Sequence, residues 1–321
     1  MRETIKSVLD QSFTDYEIIV SDDCSTDETA EVVHAFGDAR IRYFRNDRNL
    51  GYGGNLEAGA AHATGEILYL LGHDDLLLTG ALERTHEAFC SDPAIGLVTR
   101  PYYWFMQDPS RPVRAVPPYD ATRDVILSLH DGREAVHALF RSAGQLSGLG
   151  FRRCYYDRGF HRHIFTAHIY PFADILRRAQ AVYLKDYTVA VRIESSMTRH
   201  RPEIYDPSPT ETWIRMFETV YPEPIYRDVR RWGIELITAH NFEGLIQLRN
   251  YGNTRVLTRE IMVLLRYRPR NVLVPKFWLY ALLSLFVPAP VLRRLADGYK
   301  KHILSRTIDT SQILRIPSLR Q

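Results

Sequence analysis

Residues 66–75, EILYLLGHDD, place two adjacent carboxylates, Asp74 and Asp75, at the end of an apolar run that is typical of a strand. Residues 16–23, YEIIVSDD, repeat this arrangement earlier in the chain, because Asp22 and Asp23 also follow a β-branched run. The sequence therefore predicts two strands that each end in a pair of carboxylates.

Helical and strand-like segments alternate around these two runs. Residues 25–36 and 51–63 have the pattern of helices, and residues 41–46 have the pattern of a strand. The alternation predicts an α/β protein with a mostly parallel, doubly wound sheet flanked by helices. Ligands bind such sheets at the carboxyl ends of the strands, so we expect both carboxylate pairs at one edge.

Four carboxylates at one edge repel each other unless a cation or hydrogen-bond donors compensate their charge. Oxygen ligands suit Mg²⁺ or Mn²⁺, ions that commonly bind through one or two carboxylates together with substrate phosphates. The alternative for either pair alone is a turn former or a helix cap. Two pairs on consecutive strand–helix units favour a cation site.

The composition indicates an ordinary globular protein, with 321 residues of which 45% are hydrophobic and 25% charged. The three cysteines, Cys24, Cys90 and Cys154, form no CxxC pair, so a reducing cytoplasmic setting is expected. The charge is uneven, since residues 250–321 carry 13 basic and 3 acidic side chains while residues 1–249 carry 28 and 35. A basic tail on an acidic body indicates anionic lipid, nucleic acid or added solubility.

Two long stretches, residues 3–33 and 46–78, resemble the nucleotide-binding half of family 2 glycosyltransferases with the GT-A fold. The resemblance is close over residues 2–100 and looser over residues 140–200. It implies that Asp23, with Asp22 beside it, binds the nucleoside of the donor. It also implies that a UDP-sugar is the first candidate for that donor.

The same resemblance implies that Asp74 and Asp75 hold the divalent cation that bridges the donor diphosphate. Asn49 and Gly51 match the family's glycine-rich turn on the nucleotide side. The family pattern is Asp-x-Asp-Asp, and Gly72 stands at its first position here. This departure removes one contact to the donor.

The acceptor half resembles the family through residues 146–160 and 168–192. The resemblance implies that Asp174 is the general base of an inverting transfer, although Ala173 stands where the family often has Glu. Arg177 and Arg178 are candidates for a substrate phosphate, and His200 for closure over the donor. The alternatives are that Asp174 caps a following helix and that the arginines are solvated.

Beyond Tyr226 the pattern is helical. The apolar run from Phe277 to Leu292 contains two prolines and is shorter than the roughly 20 residues of a spanning helix, so it predicts a segment at a membrane surface. A buried helix or a dimer contact is the alternative. Nucleic acid is not expected as a partner, because no recognised binding motif accompanies the charge.

The predicted organisation is a catalytic domain over residues 1–200 and a helical region over residues 201–321. Residues 1–100 would form the nucleotide and metal half, and residues 101–200 the acceptor half. The family begins with an apolar strand that residues 1–15 do not supply. The expected function is metal-dependent transfer of a sugar to a glycan or lipid-linked acceptor. The alternatives are a non-catalytic nucleotide-sugar-binding protein and a nucleotidyltransferase.

Overall fold

The computed structural model describes residues 1–193, 202–206 and 208–302. The chain divides into a first compact unit containing Met1–Arg192 and a second containing Ile193–Ile308. The regular elements of the first unit are α1 (Arg2–Leu9), β1 (Ile18–Asp22), α2 (Thr29–His34), β2 (Ile41–Arg45), α3 (Gly51–His62), β3 (Ile67–Tyr69), β4 (Leu76–Leu77), α4 (Ala81–Ser91), β5 (Ile95–Thr99), β6 (Tyr102–Phe105), β7 (Arg114–Val116), β8 (Val125–Leu127), α5 (Arg133–Ser142), β9 (Gly150–Arg152), α6 (Ile169–Ile175), β10 (Gln180–Tyr183) and β11 (Val189–Arg192).

The strands of this unit form three sheets. β1 pairs with β2, five strands follow the order β3-β9-β5-β10-β8, and four follow the order β4-β11-β6-β7. The pairings β1–β2, β5–β10 and β6–β11 are parallel, and the other five described pairings are antiparallel. The predicted α/β class is confirmed, but the sheets are mixed rather than mostly parallel. Short connections such as that between β6 and β7 permit only antiparallel neighbours.

The buried centre of the first unit is β5, in which all five residues are buried. It packs with Phe89 of α4 and with Val182 of β10. Residues 94–105 have the sequence pattern of one long strand, but β5 and β6 belong to different sheets. The chain changes sheet at Arg100–Pro101, where proline has no N–H to continue the pairing.

The amphipathic helix α1 packs beside the segment that follows Asp75. Val8 shares a hydrophobic cluster with Leu77 and with Val189 of β11. The Ser7 hydroxyl accepts a hydrogen bond from the Leu77 N–H at 3.0 Å, and the Gln11 amide donates to the Leu78 carbonyl at 3.1 Å. Polar and apolar contacts of α1 thus hold β4 in place.

The second unit is helical in its described part, as the sequence predicts beyond Tyr226. Its α-helices are α7 (Pro209–Val220), α8 (Arg227–His240), α9 (Leu245–Tyr251), α10 (Thr254–Tyr267), α11 (Pro275–Phe286) and α12 (Ala289–His302). The apolar run from Phe277 to Leu292 is divided between α11 and α12, because Pro288 and Pro290 interrupt helical hydrogen bonding. Among the described residues, no helix combines the length and the hydropathy that crossing a membrane requires.

Candidate functional site

Asp75 is buried between β3 and β4, with only 3% of its surface exposed. Its Oδ2 accepts hydrogen bonds from the Ser147 hydroxyl at 2.5 Å and from the Gln145 amide at 3.0 Å. Its Oδ1 accepts from the backbone N–H of Arg192 at 2.9 Å. Both carboxylate oxygens therefore have donors, which come from two separate segments of the first unit.

Burial raises the pKa of Asp75 to about 7, and the neighbouring charge of Asp74 acts in the same direction. The hydrogen bonds from Ser147 and Arg192 oppose this rise without cancelling it. The pair thus has an excess of negative charge that a cation would relieve.

The backbone on either side of Asp74 is also held. The Thr4 hydroxyl donates to the His73 carbonyl at 2.8 Å, and the Arg192 guanidinium donates to the Asp74 carbonyl at 3.2 Å. Arg192 also forms an ion pair with Glu3 at 2.5 Å. The loop that carries the two aspartates is therefore fixed by α1 and by the end of β11.

Gly72 lies directly against the carboxylate pair. Its N–H donates to the Ser147 hydroxyl at 2.8 Å. A Cβ at this position would lie 3.0 Å from Oδ2 of Asp75 and 3.3 Å from Oδ1 of Asp74. The position that departs from the family pattern is thus one where a side chain would press against both acids.

Arg100 is fully buried behind this loop, and it was not identified as a site residue from the sequence. Its guanidinium donates to the carbonyls of Ser142 at 3.0 Å and Gln145 at 2.8 Å, and also to the carbonyl of Ser147. Burial lowers its pKa, whereas the charge of Asp75 favours its cationic form. Arg100 therefore fixes the segment whose side chains bind Asp75. The only sequence signal is a basic residue inside an apolar run.

Asp23 holds the first turn of α3. Its Oδ1 accepts from the Leu50 N–H at 2.6 Å, and its Oδ2 accepts from the Gly51 N–H at 2.9 Å. The Asn49 side chain also accepts from the Gly51 N–H, at 3.0 Å. Gly51 has φ +75°, which glycine adopts without strain. The structure thus brings Asp23, Asn49 and Gly51 together at a helix N-terminus.

Asp22 precedes Asp23, and its side chain is buried at the end of β1. Burial alone would raise its pKa, but hydrogen bonds from Ser25 and Tyr43, together with the charge of Arg45, hold the pKa below its ordinary value. The Ser25 N–H donates to Asp22 Oδ1 at 2.8 Å. The contacts of Asp22 therefore support the loop that presents Asp23.

Tyr52 follows the residue that binds Asp23 and senses the charge of the second carboxylate pair. It lies in the first turn of α3, next to the Gly51 N–H that Asp23 binds. Burial raises the pKa of the Tyr52 phenol, and the charges of Asp75 and Asp74 raise it further. The first turn of α3 is thus coupled electrostatically to the second pair. The two pairs do not share one sheet edge as expected, because β1 and β3 belong to different sheets.

Asp74 and Asp75 fit a divalent cation, for which they would supply only part of the ligands. Among the described residues, no cluster of three or more His, Cys, Asp and Glu side chains is arranged to hold a metal. Asp74 and Asp75 are two adjacent carboxylates with excess charge, and Asp75 is already hydrogen-bonded through both oxygens. Mg²⁺ and Mn²⁺ commonly bind in this way, with one or two carboxylates and the remaining ligands from water and substrate phosphate.

Asp174 lies in the last turn of α6, so it does not cap a following helix, and that alternative is wrong. Its carboxylate is surrounded by arginines: Arg158 at 3.3 Å, Arg177 at 3.9 Å and Arg178 at 3.3 Å. Its role as general base stays a prediction.

Arg178 makes several contacts within the protein. Besides Asp174, it pairs with the Asp157 carboxylate and donates to the Tyr155 carbonyl at 2.7 Å. The predicted phosphate-binding role of Arg177 and Arg178 stays a prediction, and the described contacts show them as ion-pair partners. His200 lies outside the described residues.

Comparison with known proteins matches part of the chain to a sequence family and to a named relative. The sequence model of the family described as "Glycosyl transferase family 2" matches residues 1–144. The "GalNAc(5)-diNAcBac-PP-undecaprenol beta-1,3-glucosyltransferase" of Campylobacter jejuni is 46% identical over 85 residues, which are 26% of this chain and 28% of that relative. The match thus spans little more than a quarter of the relative's length.

Two solved structures resemble nearly the whole chain. S. aureus TarS 1-349 in complex with UDP-GlcNAc has a TM-score of 0.60 at 15% identity, over 93% of this chain and 87% of that one. The mannosyltransferase PcManGT from Pyrobaculum calidifontis, in complex with GDP-Man and Mn²⁺, has a TM-score of 0.54 at 16% identity, over 92% of this chain and 83% of that one. Both neighbours have the GT-A fold, and the likeness confirms that fold for this chain.

Proposed function

We propose that the chain is a glycosyltransferase of family 2, whose sequence model matches residues 1–144, and that it moves a sugar from a nucleoside diphosphate donor to an acceptor hydroxyl. One observation carries the proposal. The Gly51 N–H in the first turn of α3 donates to the Asp23 carboxylate. In the same turn, the charges of Asp74 and Asp75 act on the Tyr52 phenol. A nucleotide and a cation site would then adjoin the same turn.

In this proposal Asp74 is the protein's direct ligand to Mg²⁺ or Mn²⁺, and Asp75 supports the same ion from its buried position. A bound divalent cation supplies Lewis-acid stabilisation to a leaving diphosphate. The residues around Asp23, with Asn49 and Gly51, would accept the nucleoside, for which uridine is the first candidate. Gly72 leaves room for the donor where the family pattern has a side chain.

The transfer step would invert the anomeric carbon. The acceptor oxygen attacks that carbon while its bond to the diphosphate oxygen breaks, and the acceptor proton passes to Asp174. The arginines around Asp174 would hold the carboxylate in one orientation. Arg177 and Arg178 are then positioning residues, with a phosphate on a substrate as a further partner.

The proposed acceptor is lipid-linked. The Campylobacter relative is named for an undecaprenol diphosphate-linked glycan, and it is 46% identical to this chain over 85 residues. Such acceptors are anchored in a membrane, so we propose that the chain works at the cytoplasmic membrane surface. A glycan that carries no lipid is the alternative acceptor.

The test is release of nucleoside diphosphate from UDP-, GDP-, CDP- and dTDP-sugars, each with Mn²⁺ or with EDTA. We expect release from one class of donor only when metal is present. Asp74→Asn should lower the rate at least ~100-fold, since removing a metal ligand removes charge stabilisation of the leaving group. Asp15→Asn, the same change at an exposed aspartate, is the matched control.

Asp174→Asn separates binding from chemistry. We expect it to abolish transfer while the nucleotide still raises the melting temperature of the variant. Full transfer by this variant would exclude Asp174 as the base. Nucleotide binding without any turnover of the wild-type chain would instead favour a non-catalytic binding protein.

A further inference from the structure

The exposed apolar side chains of the described residues are concentrated near the end of the chain. Within residues 1–193, 204–206 and 208–299, sixteen large apolar side chains are exposed, and twelve of them lie between residues 262 and 299. Only Leu50, Tyr119, Ile126 and Ile225 lie earlier. An exposed apolar patch of this kind on a soluble domain is typical of a surface that binds a membrane or a protein.

In α11 the exposed apolar side chains lie on one side of the helix. Phe277, Ala281 and Ser284 form a buried stripe along one side of this helix. A separate exposed arc covers about a third of its circumference at 3.6 residues per turn. This arc, which we call the α11 face, consists of Trp278, Leu279, Leu282, Leu285 and Phe286.

Neighbouring segments extend the apolar surface on both sides of α11. The turn before the helix exposes Val272 and Leu273, the latter by 81%. In α12 the side chains of Val291, Leu295 and Tyr299 are exposed at every fourth position, which puts them on one side of that helix. The indole N–H of Trp278 donates to the Val272 carbonyl at 2.8 Å, so its ring is held beside the preceding turn.

The charge of this segment is mostly positive. Residues 262–299 contain six arginines and lysines but a single acidic residue, Asp297. Arg266, Arg270 and Arg294 are exposed. Apolar side chains in a segment rich in exposed basic groups match the interfacial region of a bilayer with anionic lipids, where apolar groups enter the acyl boundary and cations remain among the headgroups.

We propose that the α11 face, with its flanking arginines, docks the protein on an anionic lipid surface. A second copy of the chain is a poorer occupant, because a symmetric contact would bring two surfaces of the same positive charge together. The helix has 12 residues and is thus roughly 18 Å long, well short of the ~30 Å hydrocarbon core, so it lies along the surface.

The experiment is co-sedimentation of the full chain with vesicles of neutral phosphatidylcholine, or with 30% phosphatidylglycerol added. We expect binding to the anionic vesicles and little to the neutral ones. Leu279→Glu/Phe286→Glu should weaken binding at least tenfold, since both side chains are exposed in the free protein and would be buried in lipid. Ile225→Glu makes the same change at a side chain that is 76% exposed and outside the α11 face, and it should bind as the wild type does.

Charge is tested separately. Arg270→Gln/Arg294→Gln should weaken binding about fivefold for each charge removed, whereas Arg255→Gln at an exposed position of α10 should not. Thermal melts check that all variants fold. Failure to bind anionic vesicles, or binding that the α11-face variants leave unchanged, would overturn the proposal. So would sedimentation as a dimer that these variants dissociate, since the occupant would then be a second copy.

The inference extends the proposed function but does not depend on it. The vesicle assay contains neither sugar nucleotide nor metal, so it can succeed while transfer fails. Likewise, hydrolysis of the donor in the absence of vesicles can succeed while docking fails.

Discussion

Two adjacent aspartates have different environments at this site. Asp75 is buried and receives donors at both oxygens, whereas Asp74 is half-buried. The sequence alone gives both residues the same role, because nothing in the letters DD distinguishes them. The difference comes from Ser147, Gln145 and Arg192, which are 70 to 117 positions away along the chain.

The burial and the contacts of Arg100 could not be predicted from the sequence pattern. Its neighbours are apolar, and the pattern there is that of an uninterrupted strand. The structure instead ends β5 at Thr99 and turns the guanidinium toward the carbonyls of residues 142, 145 and 147. A buried arginine is stabilised only by acceptors that the folded chain brings to it, and here these come from the segment after α5.

His168 offers a pH test of the same buried region. Its ring is buried and its Nε2 lies 2.8 Å from the carbonyl of Ala143, one residue past α5. Burial, helped by the charge of Arg100, lowers the pKa of His168 to about 4 against the opposing effect of the hydrogen bond to Ala143. The unfolded chain therefore binds this proton more tightly than the folded chain does.

Stability should consequently be lost as the pH falls from 6.5 toward 4, by about 3 kcal/mol from this residue. His168→Gln keeps a donor for the Ala143 carbonyl but does not titrate, so its free energy of unfolding should fall less over that range. Urea unfolding in EDTA at several pH values measures the difference. His130→Gln, at an exposed histidine, is the control. Parallel profiles for the wild type and His168→Gln would contradict the assignment.

At the scale of elements, α3 contacts several of the segments that form the site. Asp23 holds its N-terminus, and the Asn55 side chain on the same helix donates to the Ser21 carbonyl of β1 at 2.9 Å. Gly53 permits a close approach on another side, because a Cβ there would lie 2.1 Å from the backbone oxygen of His161. The helix is thus packed directly against the backbone of the segment before α6.

Gly53→Ala should therefore displace α3 and lower stability by about 1–3 kcal/mol, despite the better helix propensity of alanine. Nucleotide affinity should fall with it, since Gly51 and Tyr52 lie in the same turn. Gly59→Ala is the matched control, because its nearest atom would be the Ser21 Cβ at 3.3 Å. Thermal melts with and without nucleotide measure both effects. Equal stability of the two variants would show that the contact with His161 is loose.

The positions of helices and strands could be predicted from the sequence more fully than the pairing of the strands. The runs before Asp22 and Asp74 are strands, and the glycine-rich segment from Gly51 is a helix, as the patterns indicate. The division of residues 94–105 between two sheets and the end of α6 at Ile175 were missed. Periodicity reports which residues are buried, but strand order depends on contacts between distant segments.

At the scale of the whole molecule, residues 1–249 and residues 250–321 differ both in net charge and in exposed apolar side chains. The acidic majority of residues 1–249 includes the carboxylate pairs, which need a cation. Residues 250–321 carry 13 basic and 3 acidic side chains and include most of the exposed apolar surface. The uneven charge was visible in the sequence, but only the structure separates the buried stripe of α11 from its exposed face.

This division predicts different responses to salt. Raising NaCl from 0.1 to 1 M shortens the Debye length from about 10 Å to about 3 Å, which screens exposed arginines near lipid headgroups but affects buried groups much less. We therefore expect vesicle binding to fall more than tenfold, while metal-dependent release of nucleoside diphosphate changes much less. Arg270→Gln/Arg294→Gln should flatten the salt dependence of vesicle binding without altering that release. Equal salt sensitivity of the two activities would mean that one electrostatic surface serves both, and the separate roles given to the two units would be wrong.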